Sequence, residues 1–186
     1  MKISTLLQAG KPMLSFEVFP PKNSDTFDSI RSATEEIATL HPHFMSVTCG
    51  AGGNSPQNSG YTVDIARNLE SSYAVPTVAH VTCVASSRDA ILARLSSLRS
   101  VGIENILALR GDVPKDAPDP STWDYHHAAD LVREVKAFGQ EFCEMPFLSA
   151  SGDRLLESQR RRFHHHAFRS RCRPLPPPPP ISLTRT

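Results

Sequence analysis

The chain has 186 residues, with 20 Lys and Arg against 19 Asp and Glu and a formal net charge of +1 at pH 7. That length suits one domain with a tail, and the near-neutral balance gives no electrostatic case for nucleic acid or another polyanion as partner. No run is apolar for long enough to cross a membrane, residues 1–7 are too short an apolar run for a secretory leader, and Cys49, Cys83, Cys143 and Cys172 form no CxxC pair, so a reduced, cytoplasmic protein without disulfides is expected.

The average charge hides a split. Residues 1–143 carry 12 basic and 16 acidic side chains, whereas residues 144–186 carry 8 Arg, no Lys, 3 acids and 7 of the 16 prolines. A mildly acidic globular segment is therefore expected at 1–143, followed by a basic, Pro-rich segment at 144–186.

In chain order, the first element is a short apolar strand over 14–19, stopped by Pro20 and Pro21. Glu17 lies between Phe16 and Val18, so it points to the opposite face from both. A carboxylate on the inner face of a buried strand is costly unless it is paired or used. The plain alternative is a strand-end salt bridge.

Ser24 or Asp25 is placed to cap a helix with apolar positions Phe27, Ile30, Ala33, Ile37 and Leu40, ended by His41-Pro42. A second strand over 44–48 leads into a Gly-rich loop at 50–53, which matches neither GxGxxG nor a P-loop. A weaker helix follows around Val63, Ile65, Ala66 and Leu69. The third strand, 76–82, carries His80 near its end. Ser86-Ser87-Arg88-Asp89 then resembles a capping box, opening a helix with Ile91, Leu92, Leu95 and Leu98 that Gly102 is placed to stop.

The fourth strand, 105–109, runs into Arg110-Gly111-Asp112, and residues 114–120 form a loop. A fourth helix spans 128–138 with Leu131, Val132, Val135 and Phe138 on one face, and Phe142-Cys143 is placed to begin a fifth strand. Strands alternating with helices argue for parallel βα units. Polar residues gathered at strand C-terminal ends suit a (β/α)8 barrel, although periodicity alone leaves a doubly wound sheet open.

Past residue 143 the pattern stops. Arg160-Arg161-Arg162, His164-His165-His166 and five prolines at 176–180 follow in succession. A disordered or out-of-frame tail is expected there. The alternatives are a polyproline ligand for a partner domain and, less favoured, a His-based metal site; no metal site is assigned.

Four words carry a resemblance: LSFEVFPPK at 14–22, FMSVTCGAGG at 44–53, PTVAHVTC at 76–83 and GIENILALRGDVP at 102–114. In order and spacing they resemble the N-terminal half of the methylenetetrahydrofolate reductase family, over about residues 1–143. The resemblance implies a partial TIM barrel of about four βα units, where a complete one takes ~250 residues. It implies a flavoprotein oxidoreductase that uses FAD, with NADH or NADPH as donor, to reduce 5,10-methylenetetrahydrofolate to 5-methyltetrahydrofolate, and a family whose intact members can form homo-oligomers.

The resemblance also assigns roles. Glu17 matches the acid that helps open the folate's methylene bridge, and Asp112 an aspartate beside the flavin ring. Thr48, His80, Arg110 and Gly111 match cofactor-contacting positions. The plain alternatives are a strand-ending Thr48, a structural His80 and a simple turn at 110–112. His127 stands where the family often has Tyr, so no flavin contact is carried onto it. A truncated chain with little or no activity is expected, and the rival reading is a non-catalytic fragment or a protein that binds through its Pro-rich tail.

Overall fold

The computed structural model describes residues 1–7, 12–21, 24–49, 56–113, 115–139 and 142–145. The expectations for the Gly-rich loop, the tail and its histidines and prolines lie outside the described residues.

Five strands form one parallel sheet: β1 (Ser15–Val18), β2 (Phe44–Val47), β3 (Thr77–Thr82), β4 (Asn105–Leu109) and β5 (Cys143–Met145). Their order is β1-β2-β3-β4-β5, each strand beside its predecessor. A doubly wound sheet reverses direction at a switch point. Five consecutive strands added in one direction follow the progression of a (β/α)8 barrel, so the chain is a partial barrel. The four expected strands match to within two residues at each end, and the fifth, expected only as a beginning at 142–143, completes its pairing with β4.

Between strands run α2 (Phe27–Ala38), α3 (Pro56–Tyr73), α4 (Arg88–Ser100) and α5 (Ala128–Phe138). Their apolar faces meet one face of the sheet. Val18, Met45, Val47, Ala79, Val81, Ile106 and Ala108 pack there with Ile65, Leu69, Ile91, Leu95, Leu98, Leu131 and Val135. Each fully buried Leu or Ile contributes roughly 1.5–3 kcal/mol.

Local signals decide the helix ends. Ser87 Oγ accepts from the Ala90 amide at 3.3 Å, which opens α4 one residue later than a Ser86–Asp89 box would. Gly102, at φ +83°, donates to the Arg99 carbonyl and closes it. The Asp130 carboxylate accepts from the amides of His126 and His127 and so caps α5. The expected cap of α2 is corrected. Ser24 and Asp25 form a 3-10 turn (Ser24–Thr26), and Thr26 takes the N-cap position without a side-chain hydrogen bond.

The buried face of α2 is corrected too, because Ala33 and Leu40 are exposed while Thr34 and Ala38 are buried. Thr34 Oγ1 donates to the Ile30 carbonyl at 2.7 Å, which satisfies its hydroxyl inside the helix and lets its methyl pack.

The opposite face of the sheet has its own small cluster. A five-residue helix not anticipated from sequence, α1 (Ile3–Leu7), brings Ile3 and Leu6 against Phe44, Val78, Leu107 and Leu109. Asn105, fully buried, fastens it. Its Oδ1 accepts from the Ile3 amide at 2.9 Å, and its Nδ2 donates to the carbonyls of Met1 (3.0 Å) and Thr77 (3.3 Å). The Met1 ammonium adds an ion pair to Glu104 at 2.8 Å. Among the described residues no helix is long and apolar enough to cross a membrane.

Asn105→Leu is expected to lower folding stability by about 2–4 kcal/mol, since it strands a buried amide and carbonyl. Urea titration reads the loss, and hydrogen exchange should show the Ile3 amide exposed before the sheet. An unchanged midpoint would mean that α1 is not fastened through Asn105.

Candidate active site at the C-terminal rim

Because all strands run parallel, their C-terminal ends share one rim, and alternation decides what each strand presents there. On β1, Phe16 and Val18 belong to the helix-side core, so Glu17 faces inward. The apolar residues that flank Glu17 in sequence therefore do not surround its carboxyl. Pro20 and Pro21, both buried, end the strand directly above.

The ladder sets Glu17 opposite Ser46 on β2, and Ser46 opposite Val78 on β3. His80, two residues further along β3, shares their face. Its ring is buried, and Nε2 lies 4.0 Å from Glu17 Oε1. That distance is too long for a hydrogen bond. Burial also pushes the imidazole down to about 4, so at neutral pH the ring is uncharged and the contact is not an ion pair. Glu17 itself is 49% exposed, open on the side away from the sheet.

Thr48 follows β2 directly. Its amide donates to the Val18 carbonyl at 2.9 Å, and its carbonyl accepts from Thr62 Oγ1 of α3 at 3.0 Å. Its own hydroxyl is buried and has no hydrogen-bond partner among the described residues. A buried hydroxyl left in that state fits a position that receives a polar ligand atom.

Past β4, the Arg110 carbonyl accepts from the amides of Cys83 and Val84 at 3.2 and 2.8 Å, which extends the β3–β4 ladder. The Arg110 guanidinium is held by the His126 carbonyl, 3.0 Å from Nε. Gly111 has φ +85°, and a Cβ there would lie 3.0 Å from Thr82 Cβ and 3.2 Å from Val84 Cγ1. The glycine is thus demanded by its own left-handed backbone and by the end of β3. Asp112 stands exposed on the same turn, with no ion pair among the described residues.

The structure therefore brings Glu17 and His80 together, sets Thr48 on the strand between them, and puts Arg110, Gly111 and Asp112 on the next strand end. It gives no contact between Asp112 and Glu17. Two supporting residues were not singled out from sequence. Ser46 is the small residue that β2 sets opposite Glu17, and Thr62 fixes the Thr48 carbonyl. The signal for Ser46 was available in FMSVT, where the inward position of an apolar strand is a small polar residue.

Residues 2–145 match the family model for methylenetetrahydrofolate reductase. The chain is 33% identical over 144 residues to methylenetetrahydrofolate reductase (NADH) 1 of Arabidopsis thaliana, covering 76% of this chain and 24% of that protein. It is 35% identical over 150 residues to methylenetetrahydrofolate reductase 2 of Schizosaccharomyces pombe, covering 77% and 23%. It is 32% identical over 130 residues to the 5,10-methylenetetrahydrofolate reductase of Pectobacterium carotovorum subsp. carotovorum, covering 70% and 41%. The chain belongs to the methylenetetrahydrofolate reductase family, and it spans about a quarter of the length of the plant and yeast relatives.

Two outcomes follow from the geometry. Gly111→Ala should cost about 1–3 kcal/mol, because it combines a strained φ with overpacking against Thr82, and thermal denaturation reads it. The second concerns pH. Above about 6.5 the His80 ring is neutral whether the chain is folded or not. Between 6.5 and about 4 only the unfolded chain takes up the proton, so stability falls on acidification. The slope attributable to His80 is at most about 1.4 kcal/mol per pH unit. Urea midpoints at pH 7 and pH 5 should differ less in His80→Gln than in the parent. An equal fall in both would show that His80 is not the source.

Proposed function

We propose that this family member supplies the acid and part of the flavin-facing rim for reduction of 5,10-methylenetetrahydrofolate to 5-methyltetrahydrofolate. The observation that carries the proposal is the placement of Glu17 on the inner sheet face, beside His80, at the rim shared by Thr48 and the 110–112 turn. A solvent-open carboxyl facing a cluster of ligand-seeking polar groups is suited to meeting a substrate, and a structural salt bridge would have supplied it with a cationic partner. FAD, when bound, accepts hydride from a nicotinamide and passes it to the substrate. The Arabidopsis relative is named for NADH, which favours NADH as donor here.

This chain's residues would act as follows. Glu17 gives its proton to a nitrogen of the methylene bridge, which opens the bridge to an iminium able to accept hydride. Thr48 Oγ1 offers its unspent hydrogen bond to the cofactor, Gly111 keeps the 110–112 backbone close to β3, and Arg110 is braced on His126 for polar contact. Asp112 places negative charge where reduced flavin would be negative, and so biases the redox balance. The five described strands form part of an eight-stranded wall, so the chain alone is expected to hold flavin weakly and turn over little.

The test joins residues 2–145 to the remaining segment of the Pectobacterium relative. The chimera is expected to purify with FAD and to reduce the folate with NADH. Glu17→Gln should lower kcat by about 100-fold or more while the flavin absorbance is retained. Full turnover in Glu17→Gln would remove Glu17 from the acid role. A chimera that is folded by circular dichroism yet binds no FAD would overturn the flavin reading.

A further inference from the structure

Glu17 and His80 lie on strands that are not neighbours. Between them runs β2, and second-neighbour strands are roughly 10 Å apart. Two side chains can close that gap only by leaning over whatever the middle strand presents. The register puts Ser46 there, directly opposite Glu17. A Leu or Phe at 46 would stand between carboxyl and imidazole, whereas serine leaves the space in which Oε1 and Nε2 approach to 4.0 Å. The His80 ring has no other polar partner among the described residues, although it is buried. Among the described residues, its contact is with the carboxyl of a residue two strands away.

We propose that His80 is a positioning residue for Glu17, and that Ser46 is the gap that lets it act. The inference rests on the reading of Glu17 as the acid. A neutral imidazole carries one N–H, and the geometry assigns it to Nε2, facing Glu17. In the structure the two groups stand 4.0 Å apart, without a hydrogen bond. When the O–H bond of Glu17 breaks and the proton passes to the bridge nitrogen, the electron pair stays on the carboxylate. The charge then draws Nε2–H in by about 1 Å, which makes a hydrogen bond that the protonated acid lacked. His80 therefore stabilises what forms in the transition state more than what precedes it. Solvent reprotonates Glu17, whose outer side is open.

The other titratable groups at this rim do not compete for the role. Cys49 follows Thr48 and contacts Thr82 Oγ1 at 3.8 Å, Arg110 is braced on the His126 carbonyl, and Asp112 lies past β4.

The test reads the pair first without turnover. In the full chain with 15N-labelled histidine, the His80 ring nitrogens are read at neutral pH by long-range 1H–15N NMR. The parent is expected to carry its ring proton on Nε2, shifted downfield by the Glu17 carboxyl. Glu17→Leu, which removes the acceptor, and Ser46→Leu, which leaves both groups in place, should each lose that downfield shift. A ring proton on Nδ1 in the parent overturns the proposal, and so does an Nε2 signal unchanged in both variants. If Glu17→Leu does not fold, the parent spectrum and Ser46→Leu carry the decision. In the FAD-loaded chimera, Ser46→Leu should lower kcat roughly tenfold with KM little changed, and His80→Gln should lose less. A chimera without reductase activity would sink the functional reading and leave the His80 ring spectra to decide the pair by themselves.

Discussion

Side-chain alternation on parallel strands held in unbroken register is the constraint from which the rest of the molecule follows. Each strand has two faces, and the ladder from β1 to β5 aligns those faces across the sheet. One face is given to Val18, Met45, Val47, Ala79, Val81, Ile106 and Ala108 and is closed by four helices. Hydrophobic burial there is large enough to fix the register, since a slip by one residue would turn every one of these side chains outward. With that face committed, Glu17, Ser46 and His80 have only the other face to occupy. The chemistry of the rim is thus held in place by packing on the far side of the sheet.

The inner face is graded along its length. Near the N-terminal ends, α1 covers it with Ile3 and Leu6, and Asn105 ties that segment through the Ile3 amide and the Met1 carbonyl. Towards the C-terminal ends of β1 and β2 it becomes polar, with Glu17 half exposed and the Thr48 hydroxyl without a hydrogen-bond partner among the described residues, while β4 keeps Leu107 and Leu109 on this face. A sealed base and an open rim give a βα barrel one end for stability and the other for ligands. Within that arrangement His80 occupies the boundary. It is deep enough for burial to keep it neutral and high enough to reach the carboxyl of Glu17.

Much of this was legible in the sequence, for identifiable reasons. The strand of Asn105–Leu109 and the helix of Ala128–Phe138 match the sequence reading at both ends, because a capping residue or a glycine marks where each apolar run begins or stops. The inward direction of Glu17 followed from alternation alone. Three features were not legible. The face of α2 shifted because Thr34 buries its methyl after satisfying its hydroxyl within the helix, which residue type does not announce. The helix α1 is too short to show a period, and it owes its place to Asn105, 102 residues further along the chain. The meeting of Glu17 with His80 depends on strand register, and Ser46 acquires meaning only once that register is known.

Glu17 and His80 share the inner face and approach each other across β2 beside Ser46. A 13C-edited NOE experiment on the full chain at neutral pH reads that approach. A cross-peak is expected between the Glu17 γ-methylene protons and a His80 ring proton, and its loss in Ser46→Leu. Cross-peaks from the Glu17 γ-methylene to Val47 or to Ile37 of α2, with none to His80, would put the carboxyl on the helix side and separate it from His80.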